Sequence, residues 1–194
     1  MAAPLVTVPN WVPNIINPKI LFITENYPKD PDEIHDNTYF YRTLNPHGAI
    51  GGANNLLNNL CRTLGINGTT ELDMLNVFLH NRNYFLIDTF PHNIEVDDAF
   101  ITTTIASQAW IDLVIREIAI VNPMQIVFTG IRSNGHMLPI LMNRSKRLGL
   151  QISNKIVFST EDKGNFVFNS PSNRAFRGFD TQIKMAIDKG DLIL

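Results

Sequence analysis

Cysteine is nearly absent from this chain of 194 residues, which has a single one, Cys61. One thiol excludes an internal disulfide framework, a four-thiolate zinc site and a cysteine-ligated iron–sulfur cluster. Cys61 lies in a leucine-rich stretch, so we expect it to be a core residue. This cysteine usage is typical of an intracellular protein, and we expect the protein to be cytoplasmic.

Patterns that hold nucleotide cofactors or metal ions are also missing. No apolar run is followed by the glycine-rich turns G-x-G-x-x-G or G-x-x-x-x-G-K-[ST], whose backbone amides hold phosphate groups. The five histidines show neither the H-E-x-x-H spacing nor any paired spacing typical of a zinc site. We therefore expect no cofactor and no metal.

Long apolar runs are absent too. No stretch approaches the roughly 18 apolar residues that indicate a membrane-spanning helix, and no early segment has the pattern of a secretion signal. We expect no membrane partner. Apolar residues make up 44% of the chain, enough for a sizeable core. We therefore expect a single domain over residues 1–194, with residues 1–18 as an N-terminal arm packed by Trp11.

Charge is distributed unevenly along the chain, although the net charge is only −2. Residues 1–129 hold 6 Lys and Arg against 13 Asp and Glu, a net charge of −7, whereas residues 130–194 hold 10 against 5, a net charge of +5. The small overall charge argues against strong nonspecific binding to polyanions. The basic last third can form a face that meets nucleic acid, and it can equally be a set of solvated helix faces.

Apolar runs alternate with amphipathic stretches. Runs of strand type cover residues 20–23, 83–90 and 125–129, and a fourth strand, as a hairpin or as two short pieces, is expected within residues 155–159 and 166–168. Stretches of helical type cover residues 54–64, 72–79, about 98–121, about 134–149 and about 173–188. Thr70 and Asp73 form a capping-box pattern before the second helix. This alternation predicts an α/β fold, a three-layer α/β/α sandwich with a small, mainly parallel central sheet.

Polar residues follow the apolar runs where parallel strands end. Glu25 and Asn26 follow the first run, and Asp88 lies at the end of the second. The carboxyl ends of parallel strands share one edge of a sheet, where open α/β folds bind ligands. We therefore expect these side chains to meet a substrate there, with the aromatic residues 39–41 offering a flat surface for a ring.

Together these strand ends resemble the motifs of the uracil-DNA glycosylase superfamily. There the first strand ends in a motif such as G-Q-D-P-Y, G-E-A-P-G or G-I-N-P-G, and an aromatic residue and a leucine helix follow. The second strand ends in Asn, and a last motif reads H-P-S-P or N-P-S-G-L-N-R. The corresponding segments here are Thr24–Pro28, Tyr39–Tyr41 with Gly51–Leu57, Leu86–Asp88 and Phe168–Arg174. The resemblance covers most of the chain in the right order and implies a small parallel sheet between helices.

The resemblance implies base excision, in which a nucleotide is flipped out of DNA, its base is held, and water attacks an oxocarbenium-like sugar. Glu25 and Asn26 are then the catalytic residues, which orient the water and favour the cationic sugar. The implied base-binding residues are Tyr27 in an enlarged pocket, Phe40 stacked on the base, Asp88 at the base edge, and Asn169 as a substitute for the contact to the leaving base.

The resemblance also implies DNA as the partner, and we expect the protein to be a monomer. The last motif approaches DNA, and Ser172 or Asn173 caps the final helix so that its amide groups face a phosphate. The implied DNA-binding residues are Arg132, Ser133, Ser170, Ser172, Asn173, Arg174 and Arg177.

Two departures from the family's pattern concern the base. Phe168 stands where the last motif has the His or Asn that hydrogen-bonds the leaving base. Asp88 stands where the second strand has Asn, and an ionised carboxylate can only accept, so it suits the exocyclic amino group of cytosine better than O4 of uracil. Excision of ordinary cytosine would be toxic, so we expect a monofunctional glycosylase for a modified cytosine. The resemblance implies the anti-phage type within the superfamily, which removes glucosylated hydroxymethylcytosine from phage DNA.

Two other functions stay open at this point. One is a repair glycosylase that acts on uracil or another deaminated base. The other is a catalytically silent nucleic-acid-binding protein of the same fold, since a fold alone does not establish a chemistry. Phe168 and the weak overall charge favour the silent protein.

Overall fold

A sheet of four parallel strands forms the centre of the fold. The structure is a computed structural model, and it describes residues 5–24, 39–45, 53–89, 108–131, 134–159, 167–171 and 175–194. The strands are β1 (Ile20–Thr24), β2 (Tyr84–Asp88), β3 (Gln125–Phe128) and β4 (Ile156–Val157). Their order across the sheet is β2-β1-β3-β4, and every neighbouring pair is parallel.

Helices cover the sheet in two groups. In the part of the chain that the structure describes, they are α1 (Asn55–Thr63), α2 (Glu71–Asn76), α3 (Gln108–Val121), α4 (Asn134–Arg147) and α5 (Phe176–Asp188). α1 contacts α2 and α5, whereas α3 contacts α4. The predicted α/β/α sandwich with a small parallel sheet is thereby confirmed.

Cys61 of α1 is buried, as predicted, and burial raises the pKa of its thiol to about 12.

The strands are mostly apolar because both faces of the sheet are covered. All five residues of β1 and all five of β2 are buried, as expected for a parallel sheet between helices. The ring of Phe22 in β1, for example, packs against Phe78 and Tyr84 with centroids 5.9 and 6.2 Å apart. The polar residues that end these strands, Thr24 and Asp88, are therefore buried as well.

Local sequence signals set the ends of the first two helices. The side chain of Asn54 accepts a hydrogen bond from the Leu57 amide at the start of α1, and Gly65 follows the helix with φ +65°. Thr70 and Asp73 form the predicted capping box of α2. A π-helical turn over residues 77–81 continues α2 towards β2.

The fourth strand consists of two short pieces. β4 pairs with β3 in parallel, and Phe168 forms a separate parallel bridge with Thr129. Both pieces thus run in the direction of β3, which excludes the antiparallel pairing of a hairpin.

The final helix begins later than predicted. α5 starts at Phe176 with Ala175 as its N-cap, and the side chain of this alanine makes no cap hydrogen bond. The predicted cap by Ser172 or Asn173 is therefore wrong, because Ala175 occupies the cap position. The predicted start of α3 near residue 98 lies outside the described residues.

The N-terminal arm is attached to α3 by a buried carboxylate. Glu117 is fully buried and accepts hydrogen bonds from the backbone amides of Val6 and Thr7 and from the Thr7 hydroxyl. Burial raises the pKa of Glu117 above its ordinary value, although the hydrogen bonds from Thr7 and Val6 oppose this. Trp11 packs the arm as predicted, with its ring edge-on to Tyr39 at 5.8 Å between centroids.

Candidate functional site

β1 and β3 are neighbours in the sheet, but the chain leaves them towards opposite faces. β1 leads to α1 in one group of helices, and β3 leads to α4 in the other. Such a topological switch point opens a crevice outside the carboxyl ends of the two strands, where open α/β sheets bind ligands. The candidate site is therefore the edge of the sheet next to Thr24 and Thr129.

Asp88 and Thr24 form a buried hydrogen bond at this edge. They are register partners at the ends of β2 and β1, and Thr24 Oγ1 donates to Asp88 Oδ1 at 2.6 Å. Each residue is 2% exposed, so the bond is shielded from water. Glu25, Asn26 and Tyr27 follow Thr24 directly in the sequence but lie outside the described residues.

Asn134 ties three strand ends together. It is the first residue of α4 and is fully buried, and its Nδ2 donates to the carbonyls of Thr129 at 2.6 Å and Ile23 at 3.2 Å. Its Oδ1 lies 2.6 Å from the Thr89 hydroxyl, which also lies 2.8 Å from the Thr24 carbonyl. Sequence reasoning missed this role, since the pattern around Asn134 indicates a turn and a helix start and does not mark a buried amide.

Tyr41 anchors the aromatic segment to β2. Its hydroxyl donates to the Leu86 carbonyl at 2.8 Å and lies 2.9 Å from the Leu86 amide, from which it accepts. Burial raises the pKa of Tyr41 well above its ordinary value; the hydrogen bond with Leu86 opposes the rise, and the negative charge of Asp88 adds to it. Tyr41 therefore stays a neutral hydroxyl near Asp88.

Phe40, the predicted base-stacking residue, is fully buried. Its ring centroid lies 4.9 Å from that of Tyr41 and 5.0 Å from that of Phe78, and both pairs meet edge to face. Such contacts are the usual packing of aromatic rings in a core. A base can stack on Phe40 only if one face of its ring is uncovered when DNA binds.

A partly buried ion pair holds the aromatic segment against α1 and α2. Arg42 is 6% exposed, and its guanidinium donates to Glu71 Oε1 at 2.8 Å and to Oε2 at 2.8 and 3.0 Å. Glu71 also accepts from the Asn54 backbone amide at 2.7 Å. The side chain of Asn54 donates to the carbonyls of Tyr39 and Phe40 at 2.8 and 3.1 Å. Sequence reasoning missed this network because Arg42 and Glu71 are 29 residues apart and no local pattern links them.

Asn169, predicted to contact the base, lies against α5. Its backbone amide donates to Gln182 Oε1 at 2.7 Å. Its side-chain Nδ2 lies only 2.3 Å from the point that a Cβ on Gly178 would occupy, so glycine is what permits this close approach. The neighbouring Phe168 is fully buried and continues the sheet beside Thr129. Phe168 is therefore a core residue, whereas Asn169 lies just beyond the strand end.

Two of the predicted DNA-binding residues, Ser170 and Arg177, fall within the described ranges. Ser170 is partly buried, and Arg177 is exposed in the first turn of α5. The guanidinium carbon of Arg62 lies 5.0 Å from the centre of the Phe176 ring, which adds a second cation at this end of α5. The predicted residues outside the described ranges are Arg132, Ser133, Ser172, Asn173 and Arg174.

A surface depression lies at the other end of α4. Its lining includes Met142, Lys146, Gln151 and Asn154. An α-helix rises about 1.5 Å per residue, so Lys146 lies about 18 Å along α4 from Asn134 and the strand ends. The depression is therefore not part of the candidate site.

Metal-binding clusters and membrane-spanning helices are not found among the described residues. No three His, Cys, Asp or Glu side chains in those ranges are grouped so that they could hold a metal ion, and no helix there is long and apolar enough to cross a membrane. Comparisons of the chain with protein-family models, with curated proteins and with solved structures gave no match. A functional assignment therefore depends on the chemistry of the candidate site.

Proposed function

We propose that the protein is a monofunctional DNA glycosylase that excises a flipped modified cytosine, such as glucosylated hydroxymethylcytosine in phage DNA, and leaves an abasic site. The observation that carries this proposal is the 2.6 Å hydrogen bond between Thr24 and Asp88. It joins the strand end that precedes Glu25 and Asn26 to the carboxylate expected to read the base. Excision of a flipped base needs catalytic and base-reading groups at one edge of the sheet.

In the proposed reaction, water replaces the base at C1′ of the sugar. The bond between C1′ and N1 breaks and its electron pair leaves with the base, while the water oxygen bonds to C1′. Asn26 orients the water, and ionised Glu25 accepts its proton and passes it to the departing base. The same negative charge on Glu25 stabilises the cationic sugar.

Asp88 sets the proposed choice of base. Its carboxylate accepts hydrogen bonds, and a cytosine-type ring presents an amino donor where uracil presents the carbonyl oxygen O4. Asp88 is 2% exposed, so little water would separate its carboxylate from the O4 acceptor of a bound uracil. Asp88 therefore favours a cytosine-type ring over uracil.

Base release from defined DNA tests the proposal. The protein is incubated with phage DNA that carries modified cytosines and with duplexes that carry uracil, and alkali-labile abasic sites are counted. We expect abasic sites in the DNA with modified cytosines. Cleavage confined to the uracil duplexes would instead identify a repair glycosylase.

Three variants test the assignment of the residues. Glu25→Gln and Asn26→Ala should each lower turnover by about 100-fold or more and leave DNA binding intact, since both act on the water and not on the duplex. Asp88→Asn should shift the preference towards uracil, because an amide can donate to O4. Full activity in all three variants would show that the active site lies elsewhere.

The burial of Phe40 favours a second function, that of a catalytically silent nucleic-acid-binding protein of the same fold. The ring is fully buried and packs on Phe78 and Tyr41, so neither face is open to a base in this structure. A silent protein binds DNA but releases no base from any of these substrates. The same assay, combined with a binding measurement, therefore separates the two functions.

A further inference from the structure

Two departures from the family's pattern are in direct contact. Each of the three first-strand motifs that the chain resembles begins with Gly where this chain has Thr24, and the second strand ends with Asn where this chain has Asp88. Thr24 Oγ1 donates to Asp88 Oδ1 at 2.6 Å. Glycine has no side chain to make this bond, so the two departures form one hydrogen-bonded unit.

We infer that Thr24 is a specificity-determining positioning residue, whose hydroxyl holds the Asp88 carboxylate as an acceptor for the exocyclic amino group of a cytosine-type ring. This inference rests on the proposed function. Thr24 does not meet the base itself. It acts through Asp88, and its effect is on the choice between bases.

The chemistry of the two groups explains why a carboxylate at position 88 would depend on the Thr24 hydroxyl. A carboxylate carries no hydrogen to donate, so a buried one depends on donors from its surroundings. The hydroxyl of Thr24 supplies such a donor, and both partners are 2% exposed. An amide at this position is neutral and carries its own donors, so it depends less on Thr24.

Removal of the hydroxyl has a predictable effect on the reading of the base. Without the bond from Thr24, the Asp88 carboxylate loses a donor that helps to fix its orientation towards the base edge. The discrimination between cytosine-type rings and uracil should therefore fall even where the site still binds DNA.

Binding to duplexes that cannot be cleaved tests the inference without depending on turnover. The probes carry one 2′-fluoro nucleotide, either 5-hydroxymethylcytosine or uracil, because the fluorine opposes the cationic sugar. Thr24→Val removes the hydroxyl at nearly constant volume, and Thr24→Ser keeps it. The measured quantity is the ratio of the two dissociation constants in wild type and in each variant.

We expect Thr24→Val to lower the preference for 5-hydroxymethylcytosine by about 10-fold, the usual scale of one base-edge contact. Thr24→Ser should keep the wild-type ratio. In the Asp88→Asn background, Thr24→Val should change the ratio by less than about 3-fold, so that the two changes are not additive. If Thr24→Val does not fold, Thr24→Ala takes its place in each comparison.

Three results decide the matter. An unchanged ratio in Thr24→Val, or an equal change in both backgrounds, overturns the inference. The ratio of dissociation constants can respond as expected while the protein releases no base from natural DNA. That result overturns the glycosylase function and supports the role of Thr24 in base reading. Wild-type protein that binds neither probe more tightly than an unmodified duplex overturns both.

Discussion

The side-chain amide of Asn134 lies 2.6 Å from the carbonyl oxygen of Thr129. The bond joins the first residue of α4 to the residue that follows β3, and the same amide reaches the Ile23 carbonyl of β1 at 3.2 Å. These two strands flank the switch point. Asn134 therefore adds to the backbone hydrogen bond from the Thr129 amide to the Ile23 carbonyl, and together these bonds hold the two strand ends beside each other where a ligand is expected.

Asn134→Ala should destabilise the protein by about 2–4 kcal/mol, because it removes the buried hydrogen bonds from the amide to the Thr129 and Ile23 carbonyls and the acceptor of the Thr89 hydroxyl. Urea unfolding gives the free energy of unfolding. Asn143→Ala is the matched control, since Asn143 is exposed on the same helix and its loss should change the free energy by no more than about 0.5 kcal/mol. Equal stability of the two variants would show that the Asn134 amide does not hold the strand ends.

Glu117→Gln should change how stability depends on pH. Burial raises the pKa of Glu117 in the folded state above its ordinary value of 4.5. A group whose pKa is higher in the folded state than in the unfolded state contributes its full share to stability below the pKa of the unfolded state. That share is lost as the pH rises through the pKa of the folded state. The wild type should therefore lose stability relative to Glu117→Gln from about pH 4.5 upward.

Denaturant unfolding of the two proteins at intervals from pH 4 to pH 8 checks this prediction. Thr7→Val is an informative companion, because the Thr7 hydroxyl donates to the Glu117 carboxylate and opposes the rise of its pKa. Its loss should displace the pH-dependent region to higher pH. If the two proteins differ in free energy of unfolding by the same amount at every pH, the pKa of Glu117 is not raised in the folded state.

The parts of the fold that local patterns determine were predictable from the sequence. The apolar run that forms β1 and the Thr70 and Asp73 capping box act within a few residues, so their physical causes can be read along the chain. The end of β2 at Asp88 also follows from the change from apolar to polar residues. These signals suffice for the class of fold and for the edge of the sheet where a ligand is expected.

The interactions that hold the candidate site were not predictable, because they join residues far apart in sequence. Arg42 and Glu71 meet across 29 residues, and the Asn134 amide meets Ile23 across 111. Phe40 shows the limit most clearly. Its sequence context indicates a stacking surface, but the structure packs its ring on Phe78, and that choice depends on how α2 and its extension lie on the sheet.

Gly178→Ala tests whether Asn169 takes part in base recognition. The new methyl group would lie 2.3 Å from Asn169 Nδ2, which is too close, so the amide has to move. Stability should stay the same or rise by up to about 1 kcal/mol, because Ala is a better helix former than Gly. If Asn169 holds the base, excision should fall by about 10-fold, the scale of one lost hydrogen bond to the substrate.

The double variant Asn169→Ala with Gly178→Ala separates this cause from a general disturbance of α5. Without the amide there is no clash, so the double variant should have the same excision rate as Asn169→Ala alone. Thermal unfolding confirms that each variant is folded. A further loss in the double variant would show that Gly178 acts through the helix and not through Asn169.

Arg177→Ala should weaken DNA binding and lower its dependence on salt, provided that the guanidinium meets a phosphate. Each phosphate contact contributes about −0.9 to the slope of log K against log salt concentration, so the slope should become shallower by about that amount. Lys146→Ala is the charge-matched control, because Lys146 is also exposed but lies at the far end of α4, about 18 Å from the strand ends. Titrations of a fluorescent duplex between 50 and 200 mM salt, roughly the range over which such contacts weaken, give both slopes. If the two variants change the slope equally, the cations act through net charge and the first turn of α5 is not a DNA-binding surface.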